Sequence, residues 1–162
     1  MSEALLSLDQ VTTYYGQMRI LEGISLNVRE GELVCLLGGN ASGKSSTLKT
    51  VLGIVRPRSG RVLLDGQDVT QWPVPQRIAT GIAIVPENRR LFGQLTVREN
   101  LELGVGILVI EHDMHVVAGV SDRVIALDHG VKIAEGSFDE VSNHPSVVEA
   151  YLGKDPEALA EA

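Results

Sequence analysis

Residues 38–45 carry a glycine-rich pattern that constrains this chain more than any other stretch. They read Gly-Gly-Asn-Ala-Ser-Gly-Lys-Ser and match the phosphate-loop pattern G-x-x-x-x-G-K-[ST] at every fixed position. A strand-like apolar run at 33–37 precedes the pattern, and a helix-like run at 45–52 follows it. This order of strand, loop and helix favours a nucleotide-binding loop over a glycine-rich turn that matches by chance.

Each residue type in this loop suits the binding of a phosphate group. Glycine lets backbone N–H groups turn inward at places where a Cβ would collide with the phosphate. Lys44 can reach the β- and γ-phosphates of a nucleotide, and the hydroxyl of Ser45 can bind Mg²⁺. The helix that follows directs the positive end of its dipole toward the anion. The sequence therefore predicts a site for a nucleotide with Mg²⁺.

The composition fits one globular domain without a nucleic-acid partner. The chain has 162 residues, of which 44% are hydrophobic and 22% are charged, as in ordinary soluble domains. Its net charge of −7 argues against nucleic acid, whose phosphates require a basic face. No apolar run approaches the roughly 18 residues of a membrane span, and no signal peptide is recognisable. We expect a cytoplasmic protein, or one that docks on a membrane through another protein, with Cys35 as a buried apolar side chain.

Apolar periodicity and turn residues predict an α/β fold in which an antiparallel pair of strands precedes the phosphate loop. The run at 33–37 is apolar throughout, as in a central parallel strand. The predicted strands cover 5–14, 20–28, 33–37, 61–64, 82–85, 107–110, 124–127 and 131–134. The predicted helices cover 45–52, 96–103, 114–120 and 146–152, with short ones from Pro73 or Pro75 to Thr80 and after Ser137.

This order of elements resembles the ATP-binding subunits of ABC transporters over the whole chain apart from its tail. Residues 6–104 are most similar to the branched-chain amino-acid importers, on the stretches YYGQMRILEGISL and IVPENRRLFGQLTVRENLELG. The stretches LVIEHDMHVVAGVSDRVIALDHG and HPSVVEAYLG are similar to the same branch, although the tail is more similar to the second ATPase subunit of such importers. The resemblance implies an ABC ATPase core, a P-loop NTPase fold, over residues 1–153, with a frayed tail at 154–162.

The resemblance also implies a function and its partners. Members of this family bind ATP and Mg²⁺, and two ATPase subunits close over two ATP molecules to drive a pair of membrane permease subunits. The expected protein is therefore an ATP-binding subunit of an importer, as a homo- or heterodimer, peripheral on the inner face of the cell membrane. Its expected cargo is a branched-chain amino acid, and ATP hydrolysis is implied by the family alone.

Specific residues take family roles at the matching positions. Tyr15 lies where the family stacks an aromatic ring on adenine, although a turn tyrosine that packs on its own hairpin is the alternative. Ser46 lies where relatives often have a threonine that meets phosphate. The implied phosphate contacts are Gly38, Gly39, Asn40, Ala41, Ser42, Gly43, Lys44, Ser45 and Ser46.

Two further residues are implied near the γ-phosphate. Glu87 lies where most of the family has a glutamine that touches Mg²⁺ and the attacking water, and a carboxylate also binds hard cations. The alternative for Glu87 is a surface acid held by Arg89 or Arg90. His112 matches the family's switch histidine, against a purely structural histidine. We expect catalytic roles for His112 and Glu87, with Ser45 and Glu87 on the metal.

Two parts of the family pattern have no counterpart in this sequence. The LSGGQ-like signature is missing, as is the apolar strand ending in Asp-Glu that holds Mg²⁺ and the catalytic base. The run at 124–128 ends in Asp128 but leads into a His-Gly turn, which predicts a hairpin strand instead. The resemblance breaks near Val105, so most of the helical subdomain is expected to be absent. A deletion, a damaged gene and two segments joined across a gap all explain this break.

These losses leave three functional hypotheses. The first is an ATP-hydrolysing importer subunit, and the second is a binding module or fragment that holds nucleotide without turnover, because no base is present to activate water. The third is a P-loop kinase or GTPase. That class usually places the loop after its first strand, whereas two predicted strands precede the loop here.

Overall fold

The computed structural model of this protein describes residues 4–82, 106–111 and 114–152, whose strands form two four-stranded sheets. The strands are β1 (Ala4–Tyr15), β2 (Met18–Arg29), β3 (Leu33–Leu37), β4 (Ser59–Leu64), β5 (Gln67–Asp68), β6 (Ile107–Ile110), β7 (Arg123–Asp128) and β8 (Val131–Gly136). The helices are α1 (Lys44–Val51), α2 (Val74–Ala79), α3 (Met114–Val120), α4 (Phe138–Ser142) and α5 (Pro145–Leu152). Within the described ranges the predicted elements are confirmed with small shifts at their ends, and β5 is an addition.

The first sheet is antiparallel, with the strand order β2-β1-β4-β5. β1 and β2 form a hairpin whose last pair is Tyr15 with Met18, so Gly16 and Gln17 make the turn. Gly16 has a φ of 61°, which two-residue hairpin turns require at their first position and which glycine adopts without strain. The predicted antiparallel start is confirmed.

The second sheet contains the strand that leads into the phosphate loop. Its order is β6-β3-β7-β8, and β3 pairs in parallel with both β6 and β7. β7 pairs antiparallel with β8, so residues 124–128 form a hairpin strand, as predicted. The interpretation of β3 as a central parallel strand is also confirmed.

Alternate residues of the central strands belong to two separate core clusters. Val34 and Leu36 of β3 pack in a cluster with residues of the first sheet, whereas Cys35 and Leu37 pack with the helices α3, α4 and α5. All four of these side chains are buried. The reason is the period of two in a strand, which directs successive side chains to opposite faces of the sheet. β3 is thus covered on both faces, and the end of this strand gives the loop a firm base.

Helix α1 ends in a backbone motif centred on glycine. Gly53 has a φ of 80°, and its N–H donates to the carbonyl of Thr50 at 3.1 Å. The N–H of Ile54 donates to the carbonyl of Lys49 at 2.9 Å, which completes a Schellman cap. The predicted stop of this helix at Gly53 is confirmed.

Part of the predicted structure falls outside the described ranges. This applies to the predicted strand at 82–85, apart from Ile82, and to the predicted helix at 96–103. Among the described helices, none combines the length and the apolar character that crossing a bilayer requires.

Candidate nucleotide-binding site

The phosphate loop, residues 38–45, connects the end of β3 to the start of α1. Because β3 lies between the parallel strands β6 and β7, the loop follows the carboxyl end of a central strand. Ligands of open α/β sheets bind at this edge. Residues 39–41 are exposed, whereas positions 38 and 42–43 are buried. The loop therefore presents its middle to solvent while both of its ends are anchored.

Glycine is required at both anchored ends of the loop. A Cβ on Gly38 would overlap the hydroxyl of Ser42 and come within 2.6 Å of the carbonyl oxygen of Leu127. Gly43 has a φ of 106°, and a Cβ there would lie 2.8 Å from a methyl group of Leu21. Ala41 also has a positive φ, of 63°, which costs a residue with a Cβ about 1 kcal/mol. The rest of the fold thus holds this loop in a conformation that the chain would otherwise avoid.

The ammonium group of Lys44 lies among the loop's own oxygen atoms. Its Nζ donates to the carbonyls of Gly38 at 2.6 Å and Gly39 at 2.9 Å, and to the hydroxyl of Ser42 at 3.3 Å. Partial burial lowers the pKa of Lys44, because desolvation disfavours the charged form. An anion brought to this point would restore the stabilisation of the ammonium group that burial removes.

The first turn of α1 offers free hydrogen-bond donors to a ligand. Gly43 occupies the N-cap position, and no side chain caps this helix. The N–H of Thr47 bonds to the carbonyl of Gly43 at 2.8 Å, whereas the N–H groups of Lys44, Ser45 and Ser46 have no hydrogen-bond acceptor within the described ranges. They occupy the positive end of the helix dipole. Ser45 is exposed beside them, and its hydroxyl is therefore accessible to a metal ion.

Tyr15 lies next to the first turn of α1, although the two are far apart in sequence. The hydroxyl of Ser46 is 3.4 Å from the phenol oxygen of Tyr15, and the hydroxyls of Thr13 and Thr50 are 3.3 Å apart one turn further along. The side chain of Tyr15 is 41% exposed, so part of its ring remains open to solvent. The structure therefore brings the predicted aromatic residue and the phosphate loop to one place.

A support of the loop that the sequence did not reveal comes from the β7–β8 turn. The N–H of Gly130 donates to the carbonyl of Ser42 at 3.0 Å, and the carbonyl of Gly130 accepts from the N–H of Glu22 at 2.9 Å. The predicted Asp128-His129-Gly130 turn is thus more than a hairpin connection. It joins β2 to the phosphate loop through backbone hydrogen bonds.

The far end of α1 is held by a buried arginine that the sequence also did not single out. Arg77 of α2 is fully buried and donates to the carbonyls of Thr50 at 2.8 Å and Val51 at 2.6 Å, the last of the helix. It also donates to the carbonyls of Thr70 and Trp72. Burial lowers the pKa of this guanidinium. A charged residue is usually exposed, so no pattern in the sequence indicates this position.

Two predicted site residues, Glu87 and His112, lie outside the described residues. Their catalytic and metal-binding roles stay predictions. Within the described ranges, no three acidic, histidine or cysteine side chains come together as a metal cluster.

These features fit a bound nucleotide with its metal. The cradle is too narrow for side chains at its two anchored glycines, and it has unused amide donors and an ammonium group whose described partners are loop oxygen atoms. Such donors bind and orient phosphate oxygens, and a divalent cation beside them would neutralise further charge. The exposed hydroxyl of Ser45 is the described group that could hold this cation.

Comparisons with known proteins identify the family to which this chain belongs. Residues 21–150 match the family described as ABC transporter. The chain is 42% identical over 100 residues to the high-affinity branched-chain amino acid transport ATP-binding protein BraG of Pseudomonas aeruginosa, covering 62% of this chain and 43% of that protein. It is 33% identical over 111 residues to the lipopolysaccharide export system ATP-binding protein LptB of Haemophilus influenzae, covering 68% and 45%. The chain thus spans less than half the length of these relatives.

A solved structure shows the same fold. The ATP binding subunit of an ABC transporter superposes with a TM-score of 0.69 at 20% identity, covering 97% of this chain and 98% of that one. The family match covers residues 21–150, most of the chain and the whole phosphate loop at 38–45, and by this match the chain belongs to the ABC transporter family.

Proposed function

We propose that this chain binds ATP with Mg²⁺ as the phosphate-holding part of an ATP-binding subunit of an ABC importer. The observation that carries the proposal is the phosphate loop. Lys44 donates to three oxygen atoms of this loop, and the adjoining first turn of α1 has no side-chain cap. The oxygen atoms of a triphosphate would accept hydrogen bonds from both the ammonium group and the free amides.

In this proposal each loop residue has a physical task. The amides of residues 39–43 and of the first turn of α1 orient the phosphates, and Lys44 neutralises charge on the β- and γ-phosphates. Ser45 ligates Mg²⁺, and Glu87 joins it on the metal. Ser46 adds a contact at the phosphate end. His112 contacts the γ-phosphate. When bound, Mg²⁺ supplies charge neutralisation and alignment of the phosphate oxygens.

Tyr15 supplies the contact with the base in this proposal. Its ring is partly exposed, and its phenol lies within 3.4 Å of the Ser46 hydroxyl. An aromatic face can stack on a purine of either type, so stacking adds affinity with little choice between bases.

The transport role rests on the family and on its relatives. One relative is named for branched-chain amino acid transport and another for lipopolysaccharide export, so the family match does not fix the cargo. We propose a branched-chain amino acid, because the relative named for it is 42% identical to this chain. The proposed partners are membrane permease subunits and a second ATPase subunit, which would hold the chain at the inner face of the membrane.

Equilibrium binding of ATP to the purified 162-residue chain tests the proposal directly. We expect saturable binding of ATP that requires Mg²⁺ for full affinity, measured by calorimetry. The Lys49→Ala variant removes an exposed lysine from the same helix and should bind ATP as the natural chain does. Folded protein that binds no ATP would overturn the proposal.

Steady-state release of phosphate separates the two ATP-dependent alternatives. Turnover by the same preparation supports a hydrolysing subunit, whereas binding with no turnover identifies a module that holds nucleotide without hydrolysis. The absence of the signature and of the Asp-Glu strand from the sequence favours the second result for the isolated chain. Sequencing of the source DNA on both sides of Val105 then decides whether the break near this residue is a property of the gene.

A further inference from the structure

Among the described strands, none pairs with the hairpin turn that presents Tyr15 on the side of β4. β1 pairs with β4 only as far as Thr12 with Ser59, whereas its pairing with β2 continues to Tyr15 with Met18. The last residues of β1 therefore extend beyond β4. A two-stranded ribbon on its own is weakly held, so the position of Tyr15 depends on what else contacts this turn.

Arg58, the residue before β4, makes that contact. Its backbone N–H donates to the carbonyl of Thr12 at 2.8 Å, which aligns the chain with β1. Its guanidinium carbon lies 4.0 Å from the centre of the Tyr14 ring, within the range of a cation–π interaction. Its Nη2 atom lies 3.5 Å from the carbonyl oxygen of Gly16, as a long hydrogen bond.

Arg58 and the phosphate-loop helix hold the turn from opposite faces. Successive side chains of a strand point to opposite sides, so Tyr14 and Tyr15 face in opposite directions. Tyr15 is directed toward Ser46 of α1, and Tyr14 is covered by Arg58. The guanidinium thus contacts the turn on the face opposite Tyr15, beyond the last β1–β4 pair.

We propose that Arg58 is a positioning residue that holds the 14–17 turn so that Tyr15 stacks on the base of a bound nucleotide. This inference rests on the proposed function, because it assigns a support to the same site. Arg58 acts through Tyr14 and the Gly16 carbonyl, and it has no contact with the phosphate loop among the interactions of the described residues. Its effect is therefore confined to the part of the binding energy that comes from the base.

Comparison of ATP with inorganic tripolyphosphate isolates this part. Tripolyphosphate offers the same phosphate groups to residues 38–46 and has no base. In the Arg58→Gln variant we expect ATP affinity to fall by roughly two- to fivefold, the size of an exposed cation–π contact, with tripolyphosphate affinity unchanged. The matched control is Arg56→Gln, which removes an exposed arginine two residues away and should change neither affinity beyond a shared charge effect.

Variants of Tyr14 and Tyr15 test whether Arg58 affects ATP affinity through these two side chains. Tyr14→Phe keeps the ring under the guanidinium and should bind ATP as the natural protein does, whereas Tyr14→Leu should reproduce Arg58→Gln. Arg58→Lys keeps the cation and should restore part of the affinity. In a Tyr15→Ala background, Arg58→Gln should have no further effect on ATP, because the ring it positions is gone.

The outcomes separate this inference from the proposed function. Failure of the natural chain to bind ATP overturns both. Binding of ATP that depends on Tyr15 but is unchanged in Arg58→Gln overturns the role of Arg58 and leaves the nucleotide site standing. Equal losses for ATP and tripolyphosphate that exceed those of Arg56→Gln also overturn it, since they indicate a general structural effect.

Discussion

The backbone N–H of Gly130 donates to the carbonyl of Ser42 at 3.0 Å, which joins the tip of the β7–β8 hairpin to the phosphate loop. Gly130 has a φ of 80°, and a Cβ on it would overlap the carbonyl oxygen of Ile20 and lie 2.8 Å from its carbonyl carbon. The hairpin tip, β2 and the loop therefore fit together only while this residue is glycine.

Gly130→Ala should destabilise the protein and weaken nucleotide binding. We expect a loss of about 2–5 kcal/mol in the free energy of unfolding, from a left-handed alanine and a backbone overlap. Gly66→Ala is the matched control, because Gly66 has a φ of 73° with no atom within 4 Å of an added Cβ. It should lose only about 1–2 kcal/mol. Urea unfolding measures both, and equal losses would contradict the packing role of Gly130.

Lys44→Ala should abolish ATP binding, or weaken it severely, and leave the fold intact. The side chain is the cation of the loop, and its hydrogen bonds in the described structure are to loop oxygens, so the core does not depend on it. Calorimetric titration with ATP measures the loss, and circular dichroism checks the fold. If Lys44→Ala bound ATP as tightly as the Lys49→Ala control does, Lys44 would have no role in binding the phosphates.

Arg77→Met should destabilise the protein by about 2–4 kcal/mol, because it leaves several buried carbonyls of α1 and its neighbours without a donor. Arg77→Lys should recover part of this loss, since an ammonium group can donate to some of these carbonyls. The exposed Arg56 provides the control, and Arg56→Met should be close to neutral. Guanidinium unfolding gives the three values, and a neutral Arg77→Met would show that burial of the cation costs as much as its bonds contribute.

Glu32→Gln should remove stability that depends on pH. The carboxylate of Glu32 accepts from Arg123 at 2.7 Å, and this bond lowers the pKa of Glu32. A lowered pKa stabilises the folded state above the ordinary glutamate value of about 4.3, and this stability is lost as pH falls through the folded-state pKa. We expect the free energy of unfolding of the natural protein to be about 1–3 kcal/mol higher than that of the variant near pH 7.

The same comparison at low pH completes this test. The difference between the natural protein and Glu32→Gln should shrink steadily as pH falls below about 4. Glu30→Gln, which changes an exposed acid two residues away, should leave the pH dependence of urea unfolding as it is. If the difference in free energy of unfolding stayed constant with pH, the hydrogen bond between Arg123 and Glu32 would not require a charged Glu32.

Cys35 should resist alkylation in the folded protein. Its side chain is 1% exposed, and burial raises its pKa to about 11, so little thiolate forms near neutral pH. Iodoacetamide at pH 8 should label the native chain much more slowly than the chain in urea, as mass spectrometry would show. Rapid labelling of the native chain would place Cys35 outside the core.

The raised pKa of Cys35 also makes the free energy of unfolding depend on pH. Burial of the protonated thiol favours the folded state below the ordinary cysteine pKa, and this contribution is lost as pH rises through the folded-state value of about 11.

Several local features could be predicted because their signals lie within a few residues. The apolar run at 33–37 and the glycine at 53 set the bounds of β3 and the end of α1, and the structure agrees with both. The Asp128-His129-Gly130 turn was recognisable from turn chemistry alone. The residues of the phosphate loop were recognisable from their fixed spacing. The roles of Glu87 and His112, outside the described residues, stay predictions.

Other features depend on contacts between distant parts of the chain. Arg77 looks like a surface residue in sequence, and only the packing of α2 against the end of α1 directs its guanidinium to buried carbonyls. Arg58 likewise has no local signal in the sequence, because its guanidinium contacts the ring of Tyr14, 44 positions earlier in the chain.

The sequence by itself determined the family, the phosphate-loop pattern and, within the described ranges, the order of the strands and helices apart from β5, because fixed spacings and short-range periodicity encode these. The tertiary structure alone decided what holds the loop in place. Gly130 supports Ser42, Arg77 holds the far end of α1, and Tyr15 meets Ser46. These contacts join residues that are brought together because the two sheets share one of the two core clusters, and sequence spacing does not specify such pairs.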